Sequence, residues 1–427
     1  MENEKYFSRW SSIFFWFIIS AAFIGPGTVT TASSAGAKFG TGLLWALILS
    51  TIGTIILQEA AARLTIVSGQ NLGQVIASRF RSGSIPWLVT GAIIFGCVAF
   101  QAGNIIGAIS GIQLITDWPV WIMVFVVGIV AFLILWSGSM NRITAALGII
   151  VAGMGLLFVW VAISALSGVT TWSGPIGVNN ESLVTILGLI GTTIVPYNLF
   201  LASGISKGQS LKEMRFGIIG AVAIGGLISC AILLAGTSVE GEFSFMNLAN
   251  AISEKSGSWA AIFFGFGLFA AGLSSSITAP LAAAITAQSV FGKEGDSINR
   301  FRYVWIGVLV VGVFLGLLDI KPIPAIIAAQ AINGCLLPIV VCLLFLAVND
   351  RKLLGNEINS LSLNILSFLI VILTVFLGLN GLWSAMNKVI PQIMSFSTKY
   401  TFIFVLETII IIAMIFHWRR QSLQKHQ

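Results

Sequence analysis

The chain has 427 residues, of which 57% are hydrophobic and only 9% are charged. Charged residues make up about a quarter of a typical soluble domain, so this composition excludes a soluble globular protein and indicates a membrane protein with many spans. The four cysteines lie inside apolar runs without a CxxC spacing, which predicts free thiols rather than a disulfide framework or a metal site.

Stretches of about 18 or more mostly apolar residues are long enough to cross the hydrocarbon core of a bilayer. The first ten residues predict a short charged tail rather than a cleavable signal peptide. The sequence then predicts about twelve spans, near residues 12–36, 42–66, 86–113, 118–137, 143–167, 182–206, 215–236, 258–290, 303–319, 323–348, 360–382 and 400–418. Because the connecting loops are short, residues 1–427 are predicted to form a single transmembrane domain.

The distribution of basic residues predicts the orientation of the chain in the membrane. With both termini in the cytoplasm, most basic residues lie on the cytoplasmic side, and those left outside are Lys38, Lys255, Lys321, Lys388 and Lys399. Lysine and arginine are retained on the cytoplasmic face, so the net charge of +7 is explained by topology and predicts no nucleic-acid partner. The absence of sorting signals predicts a bacterial plasma membrane.

Two prolines interrupt apolar runs in a related way. Pro26 follows Gly25 in span 1, and Pro196 follows Val195 in span 6. A break in a helix leaves backbone N–H and C=O groups without partners at membrane depth. Such groups are tolerated there only where they are buried in protein or line a water-filled cavity. Such breaks in corresponding places of two halves indicate the substrate site of a transporter. Hydroxyl and amide side chains surround them, namely Thr28, Thr30, Thr31, Ser33, Ser34, Thr192, Thr193, Tyr197, Asn198 and Ser203.

The positions of the breaks predict two inverted repeats of five spans each. Residues of about 12–167 form the first repeat and residues of about 182–348 the second. An odd number of spans in each repeat inverts the second repeat in the membrane. Spans 11 and 12, at about 360–418, are then peripheral.

Ionisable residues inside the apolar runs are restricted to Glu59, Arg63 and Glu407. Glu59 and Arg63 are four residues apart, a spacing that suits an ion pair on one helix face, and we interpret them as a structural or gating pair. Glu407 lies outside both repeats and has no assigned role. The two histidines, His417 and His426, lie near the C-terminus, so the sequence predicts neither an enzyme nor a cofactor.

The sequence resembles the NRAMP metal-ion transporters, which share the broken-helix, inverted-repeat fold of the LeuT-type symporters (an APC-type fold). The resemblance covers spans 1–10. It rests on the residues at 35–40, 44–45, 57–58, 62–64, 67–69, 196, 198–201, 272–278, 337–338 and 350–355. It implies an all-α integral membrane protein with broken helices 1 and 6 and two peripheral helices.

The chain departs from the family pattern at the positions that carry the chemistry. The family's aspartate and asparagine of span 1 align with Gly25 and Thr28, and its methionine and histidine around the span 6 proline align with Val195 and Tyr197. The glutamine of span 10 is retained as Gln330. The resulting candidate substrate-binding residues are Gly25, Gly27, Thr28, Thr192, Val195, Tyr197, Asn198 and Gln330.

The positions that the resemblance assigns to the proton route also differ. The family's acidic pair on span 3 aligns with Gln101 and Asn104, and a second histidine of span 6 aligns with Ala202. Because amide side chains do not titrate, the sequence predicts uncoupled or Na⁺-linked transport.

These observations favour a secondary transporter that works by alternating access on a small neutral or anionic solute, because no acid offsets the positive helix ends at the breaks. The alternative implied by the resemblance is a divalent metal cation such as Mg²⁺ or Mn²⁺, held partly hydrated by carbonyls, Thr28, Tyr197, Asn198 and Gln330. A further alternative is a membrane sensor or scaffold that does not transport. The predicted partners are therefore a small solute or ion and the lipid bilayer.

Overall fold

The computed structural model describes residues 24–79, 83–138, 140–166, 177–179, 181–292, 301–318, 320–389, 401–412 and 414. Within these ranges every regular element is a helix. In the described residues, nine helical segments are long and apolar enough to cross a membrane, with the broken span Leu183–Ile205 counted as one, and two shorter apolar helices accompany them. Their bounds agree with the predicted spans, of which span 1 is described from residue 24 onward.

We number the helices in chain order. They are α1 (Pro26–Phe39), α2 (Leu44–Ser68), α3 (Leu72–Arg79), α4 (Ile85–Gln113), α5 (Val120–Ser137), α6 (Met140–Leu166), α7 (Leu183–Thr193), α8 (Pro196–Ile205), α9 (Leu211–Gly236), α10 (Phe245–Ser256), α11 (Trp259–Phe291), α12 (Arg302–Leu317), α13 (Pro322–Val348), α14 (Arg351–Leu354), α15 (Leu361–Val389) and α16 (Thr401–Ile412).

Span 6 is broken where the sequence predicts it. Helix α7 ends at Thr193, Ile194 and Val195 leave the helical conformation, and α8 begins at Pro196. Proline suits the first position of a helix because its fixed φ fits the helix and its missing N–H would have no partner there. Span 1 follows the same rule, since the extended residue Gly25 precedes Pro26 and the start of α1.

The broken helices lie in the centre of the helix bundle. In the segment Leu183–Ile205, 89% of the most apolar 18-residue window is buried inside the protein, against 39% for α5. Helix α1 packs against α4, α7, α9 and α13, and α8 packs against α2 and α11. Apolar side chains exposed on outer helices, such as Trp121, Leu133 and Leu156, face the side where a lipid-exposed surface is expected.

Two glycines allow α1 and α9 to approach each other closely. A side chain on Gly36 would overlap the carbonyl oxygen of Leu233, and one on Gly236 would overlap the carbonyl oxygen of Ser33. Small residues permit such backbone contacts between membrane helices. The contact holds α1, which carries the span 1 break, against the repeat that contains the span 6 break.

Candidate functional site

The two breaks are joined by a direct hydrogen bond. The hydroxyl oxygens of Thr28 on α1 and Thr192 on α7 are 2.8 Å apart, and both side chains are buried. Thr28 lies in the first turn after the first break and Thr192 in the last turn before the second. The structure therefore brings together two residues that the sequence predicted to share one site.

Gln330 of α13 lies directly beside the first break. A Cβ on Gly27 would overlap the side-chain amide of Gln330, so only glycine leaves room for that amide. Gln330 is 1% exposed, and its Oε1 has no hydrogen-bond partner among the described residues. A buried acceptor oxygen without a partner is costly, which indicates that a ligand or water satisfies it.

Tyr197 and Asn198 occupy the first turn of α8, immediately after the second break. The ring of Tyr197 packs edge-on against Phe100 of α4, with centroids 5.6 Å apart, and is buried. The backbone N–H of Asn198 donates to the carbonyl of Val195 at 3.0 Å. Its side-chain Oδ1 is buried and, in the described part of the chain, unpartnered. Asn198 thus supplies a second free acceptor oxygen at the breaks.

Gly25 and Val195 contribute backbone groups, rather than polar side chains, to the two breaks. Both are N-cap residues in extended conformation, with φ and ψ of −89° and 177° for Gly25 and −83° and 121° for Val195. Neither α1 nor α8 has an acidic residue in its first turn, so both positive helix ends face the breaks uncompensated. Among the described residues, no group of three or more His, Cys, Asp or Glu side chains is placed to hold a metal ion. The site is a set of neutral oxygen atoms.

The residues aligned with the proton route lie in two different places. Gln101 and Asn104 are buried on α4, and Nε2 of Gln101 donates to the backbone oxygen of Ser276 on α11 at 3.2 Å. Ala202 of α8 instead packs in an apolar cluster with Ala62 and Met214. The contacts of the described residues therefore do not connect Ala202 with the two amides of α4.

The predicted pair of Glu59 and Arg63 belongs to a larger polar network. Arg63 Nε donates to Glu59 Oε1 at 3.0 Å, and Nε of Arg215 on α9 donates to the same oxygen at 2.9 Å. The guanidinium of Arg63 also donates to the carbonyl oxygen of Glu357 and to Oδ1 of Asn359, between α14 and α15. Sequence reasoning missed Arg215, Glu357 and Asn359, since no local spacing relates them to Glu59.

A cavity of about 380 Å³ lies beside the C-terminal end of α8. It is lined by Asn71, Gln74, Leu201, Gly204, Ile205, Ile285, Gln288, Ser289 and Gly292. The charge distribution predicts this end of α8 to be cytoplasmic. Arg79, at the end of α3, forms an ion pair with Asp350. Asp350 also caps α14, since its Oδ1 accepts from the backbone N–H of Lys352. Burial lowers the pKa of Arg79, but an arginine stays protonated at physiological pH.

The four cysteines are free thiols, as the sequence predicts; Cys97 is buried and the others are half-buried. Glu407 lies on α16, and its Oε1 has no partner in the ranges that the structure covers.

Comparison with known proteins agrees with the fold. The family model described as "Natural resistance-associated macrophage protein-like" matches residues 16–384. A relative named divalent metal cation transporter MntH, from Bacillus subtilis, is 26% identical over 394 residues, which are 85% of this chain and 89% of the relative.

Two solved structures show the same architecture. A manganese transporter from Eremococcus coleocola superposes with a TM-score of 0.71 at 19% identity, covering 99% of this chain and 97% of that one. The nucleobase-cation-symport-1 family transporter Mhp1 gives a TM-score of 0.58 at 17% identity, covering 94% and 92%. The chain therefore has the LeuT-like fold that the family resemblance implies. With a family match over most of its length, the protein is an integral membrane protein that belongs to the Nramp family.

Proposed function

We propose that this protein carries a divalent metal cation across the membrane by alternating access, with the cargo bound between α1, α7, α8 and α13. The observation that supports this most directly is the pair of buried acceptor oxygens without partners, Oδ1 of Asn198 and Oε1 of Gln330. The relatives named as divalent metal cation transporters support the same cargo class. The expectation of a small neutral or anionic solute finds no support in these relatives, and the metal alternative is better supported.

The neutral site favours a hard cation that keeps part of its water shell. Amide, hydroxyl and carbonyl oxygens are ligands for Mg²⁺ and for Mn²⁺, whereas the thioether that favours softer metals is replaced by Val195. Retained water spreads the ionic charge and reduces the number of protein ligands required. Helix α7 ends at Thr193, and its negative end points at the break. That end offsets part of the field from the starts of α1 and α8.

Uptake into proteoliposomes tests the cargo. We expect saturable uptake of Mn²⁺ or Mg²⁺ by the wild-type protein, with a fall of about tenfold for Asn198→Ala and for Gln330→Ala, because a lost ligand to a charged group costs about 1.5–3 kcal/mol. Asn380→Ala is the matched control, since Asn380 is a buried amide on α15 that donates to Phe376 of its own helix at 2.8 Å. Equal loss in all three variants contradicts the proposed site.

A small neutral or anionic solute remains the second candidate, favoured by the two uncompensated helix N-termini at Gly25 and Val195. Folded protein that neither binds nor transports Mn²⁺ or Mg²⁺ would support it. Counterflow with labelled small anions then measures the alternative directly. If Mn²⁺ and Mg²⁺ compete with each other for uptake and small anions do not compete with either, the neutral or anionic solute is eliminated.

We also propose that the protein lies in a bacterial plasma membrane with both termini in the cytoplasm. The excess of lysine and arginine on one side supports this orientation. A cysteine introduced by Lys38→Cys is expected to react with an impermeant maleimide outside intact cells. One introduced by Lys352→Cys is expected to react only after permeabilisation, and the reverse pattern would contradict the orientation.

A further inference from the structure

A second cluster of buried polar atoms lies between α4 and α11. It contains three atoms that have no partner in the described structure, namely Oε1 of Gln101, Nδ2 of Asn104 and Oγ of Ser276. The three side chains are 0%, 2% and 0% exposed. Leaving one such atom unsatisfied is costly, and three in one place indicate a missing ligand.

The register of the two helices places these atoms together. The helices run antiparallel, because Gly111 meets Leu268 and Phe269 whereas Ala108 meets Gly272. A Cβ on Gly272 would lie 2.6 Å from that of Ala108. Asn104 lies one turn before Ala108 on α4, and Ser276 lies one turn after Gly272 on α11. In this antiparallel register the two residues are therefore placed opposite each other.

Gln101 completes the cluster from one turn away on α4. Its Nε2 donates to the backbone oxygen of Ser276, which fixes the amide and leaves Oε1 as the free acceptor. Gly312 of α12 packs so closely against the Gln101 stem that the side chain has little room to swing away. The cluster is therefore held by three helices.

Of the hydroxyls of α4 and α11, Oγ of Ser276 and Oγ1 of Thr90 are buried and, among the described residues, unpartnered. Others donate to a carbonyl of their own helix, as Ser110 does to Ile106, Thr278 to Ser274 and Thr286 to Ala282. Such bonds are the ordinary structural role of serine and threonine in membrane helices. Ser276 makes no such bond in the structure, so its hydroxyl is available to a ligand.

The chemistry of the cluster selects a small ion of single charge. Helices α4 and α11 contain no Asp, Glu, His, Lys or Arg, so no charged side chain of either helix balances a divalent charge. The cost of burying an ion that has shed its water rises with the square of its charge, so this cluster suits a monovalent ion; the cargo site differs in taking a partly hydrated ion beside the negative end of α7. Rotating the Asn104 amide by half a turn exchanges its nitrogen and oxygen, giving a third oxygen toward the same point.

We infer that Gln101, Asn104 and Ser276 form a binding site for a small monovalent cation of the Na⁺ class, built from residues other than those of the cargo site. Gly107, one turn beyond Asn104 on α4, lies in contact with Pro26 at the span 1 break. An ion bound here is thus placed to stabilise one arrangement of the break. Its use as a coupling ion rests on the proposed transport function, whereas its binding does not.

The test measures Na⁺ binding without any cargo. We expect NaCl to raise the melting temperature of the purified protein relative to choline chloride at equal ionic strength, since a ligand that binds the folded state stabilises it. ²²Na⁺ binding measured directly should saturate. Ser276→Ala and Gln101→Leu are each expected to lower Na⁺ affinity at least tenfold.

Thr278→Val is the matched control, because it removes a hydroxyl of the same helix that is bonded to its own backbone. It should leave Na⁺ binding unchanged. Gln101→Glu retains the oxygens and adds a negative charge, so it is expected to raise Na⁺ affinity even if the other variants fold poorly. Absence of any Na⁺ effect on the wild type would show that water alone fills the cluster and would overturn the inference. A Na⁺ effect that survives Ser276→Ala and Gln101→Leu, with Gln101→Glu unchanged, would also overturn it.

Failure of this test is distinguishable from failure of the proposed function. A protein that transports Mn²⁺ or Mg²⁺ but does not bind Na⁺ keeps its cargo site and loses this second site. A protein that binds Na⁺ but does not take up metal keeps the second site and requires a different cargo.

Discussion

Arg63 is the largest fully buried side chain of the described residues, with 1% exposure, and it carries a full charge. Its charge is balanced by Glu59, while Nη1 donates to the carbonyl oxygen of Glu357 and Nη2 to Oδ1 of Asn359. A buried ion pair contributes little net stability when intact, but removing one partner leaves an uncompensated charge. The arginine therefore joins α2 to the segment between α14 and α15, and Arg215 extends the network to α9.

Removing the Arg63 side chain is expected to destabilise the protein strongly. Arg63→Ala leaves the acceptors at Glu357 and Asn359 without a donor and should cost about 3 kcal/mol, seen as a lower melting temperature in detergent. Lys38→Ala is the control, because Lys38 forms an exposed ion pair with Glu181. Such surface pairs contribute about 0–1 kcal/mol, so an equal loss in both variants would contradict the proposed role.

The sequence predicted part of this network and part of the site, for a physical reason. The spacing of Glu59 and Arg63 is local, so helix geometry alone relates them. Arg215 and Asn359 reach them only after folding, and no spacing reveals that. Similarly, hydroxyls near Pro26 and Pro196 were predicted to share a site, whereas the contact between Gln330 and Gly27 depends on how α13 packs.

At the scale of helices, the breaks are positioned by close backbone contacts. Gly36 and Gly236 bring α1 against α9, while Gly191 brings α7 against the backbone of Gln330. Close approach of two membrane helices is stabilised by van der Waals packing rather than by the hydrophobic effect. Helix α1 is therefore held against α9, and α7 against α13.

A methyl group at this contact should separate the helices. Gly36→Ala is expected to lower the melting temperature, because the new Cβ meets the rigid backbone carbonyl of Leu233, and overpacking costs about 1–3 kcal/mol. Gly91→Ala is the matched control, since nothing lies within 4 Å of its Cβ position. Alanine in place of an exposed helical glycine stabilises by about 1 kcal/mol, so Gly91→Ala should not destabilise. A harmless Gly36→Ala would contradict the close contact.

For the whole molecule, the hydrophobic pattern and the prolines predicted the architecture well. Apolar length determines which segments cross the bilayer, and proline removes the backbone donor that a continuous helix needs. Both are local properties of the chain. The cargo was less predictable, because Gly25 stands in place of the family's carboxylate and Val195 in place of its thioether. The oxygens of Asn198 and Gln330 became identifiable as free acceptors only in the folded bundle.

The positions of the acidic residues predict that transport is not coupled to protons. The acidic residues inside the apolar runs are Glu59, which pairs with Arg63 and Arg215, and Glu407, which lies on the peripheral helix α16. Gln101 and Asn104 of α4 cannot release a proton at physiological pH. We therefore expect metal uptake to leave the pH inside proteoliposomes unchanged, measured with an entrapped dye while a Na⁺ gradient is varied. Alanine substitution of Glu407 should not alter uptake, because Glu407 lies on α16, outside the helices that carry the breaks. Acidification that strictly requires the metal would show a proton route through groups other than these amides.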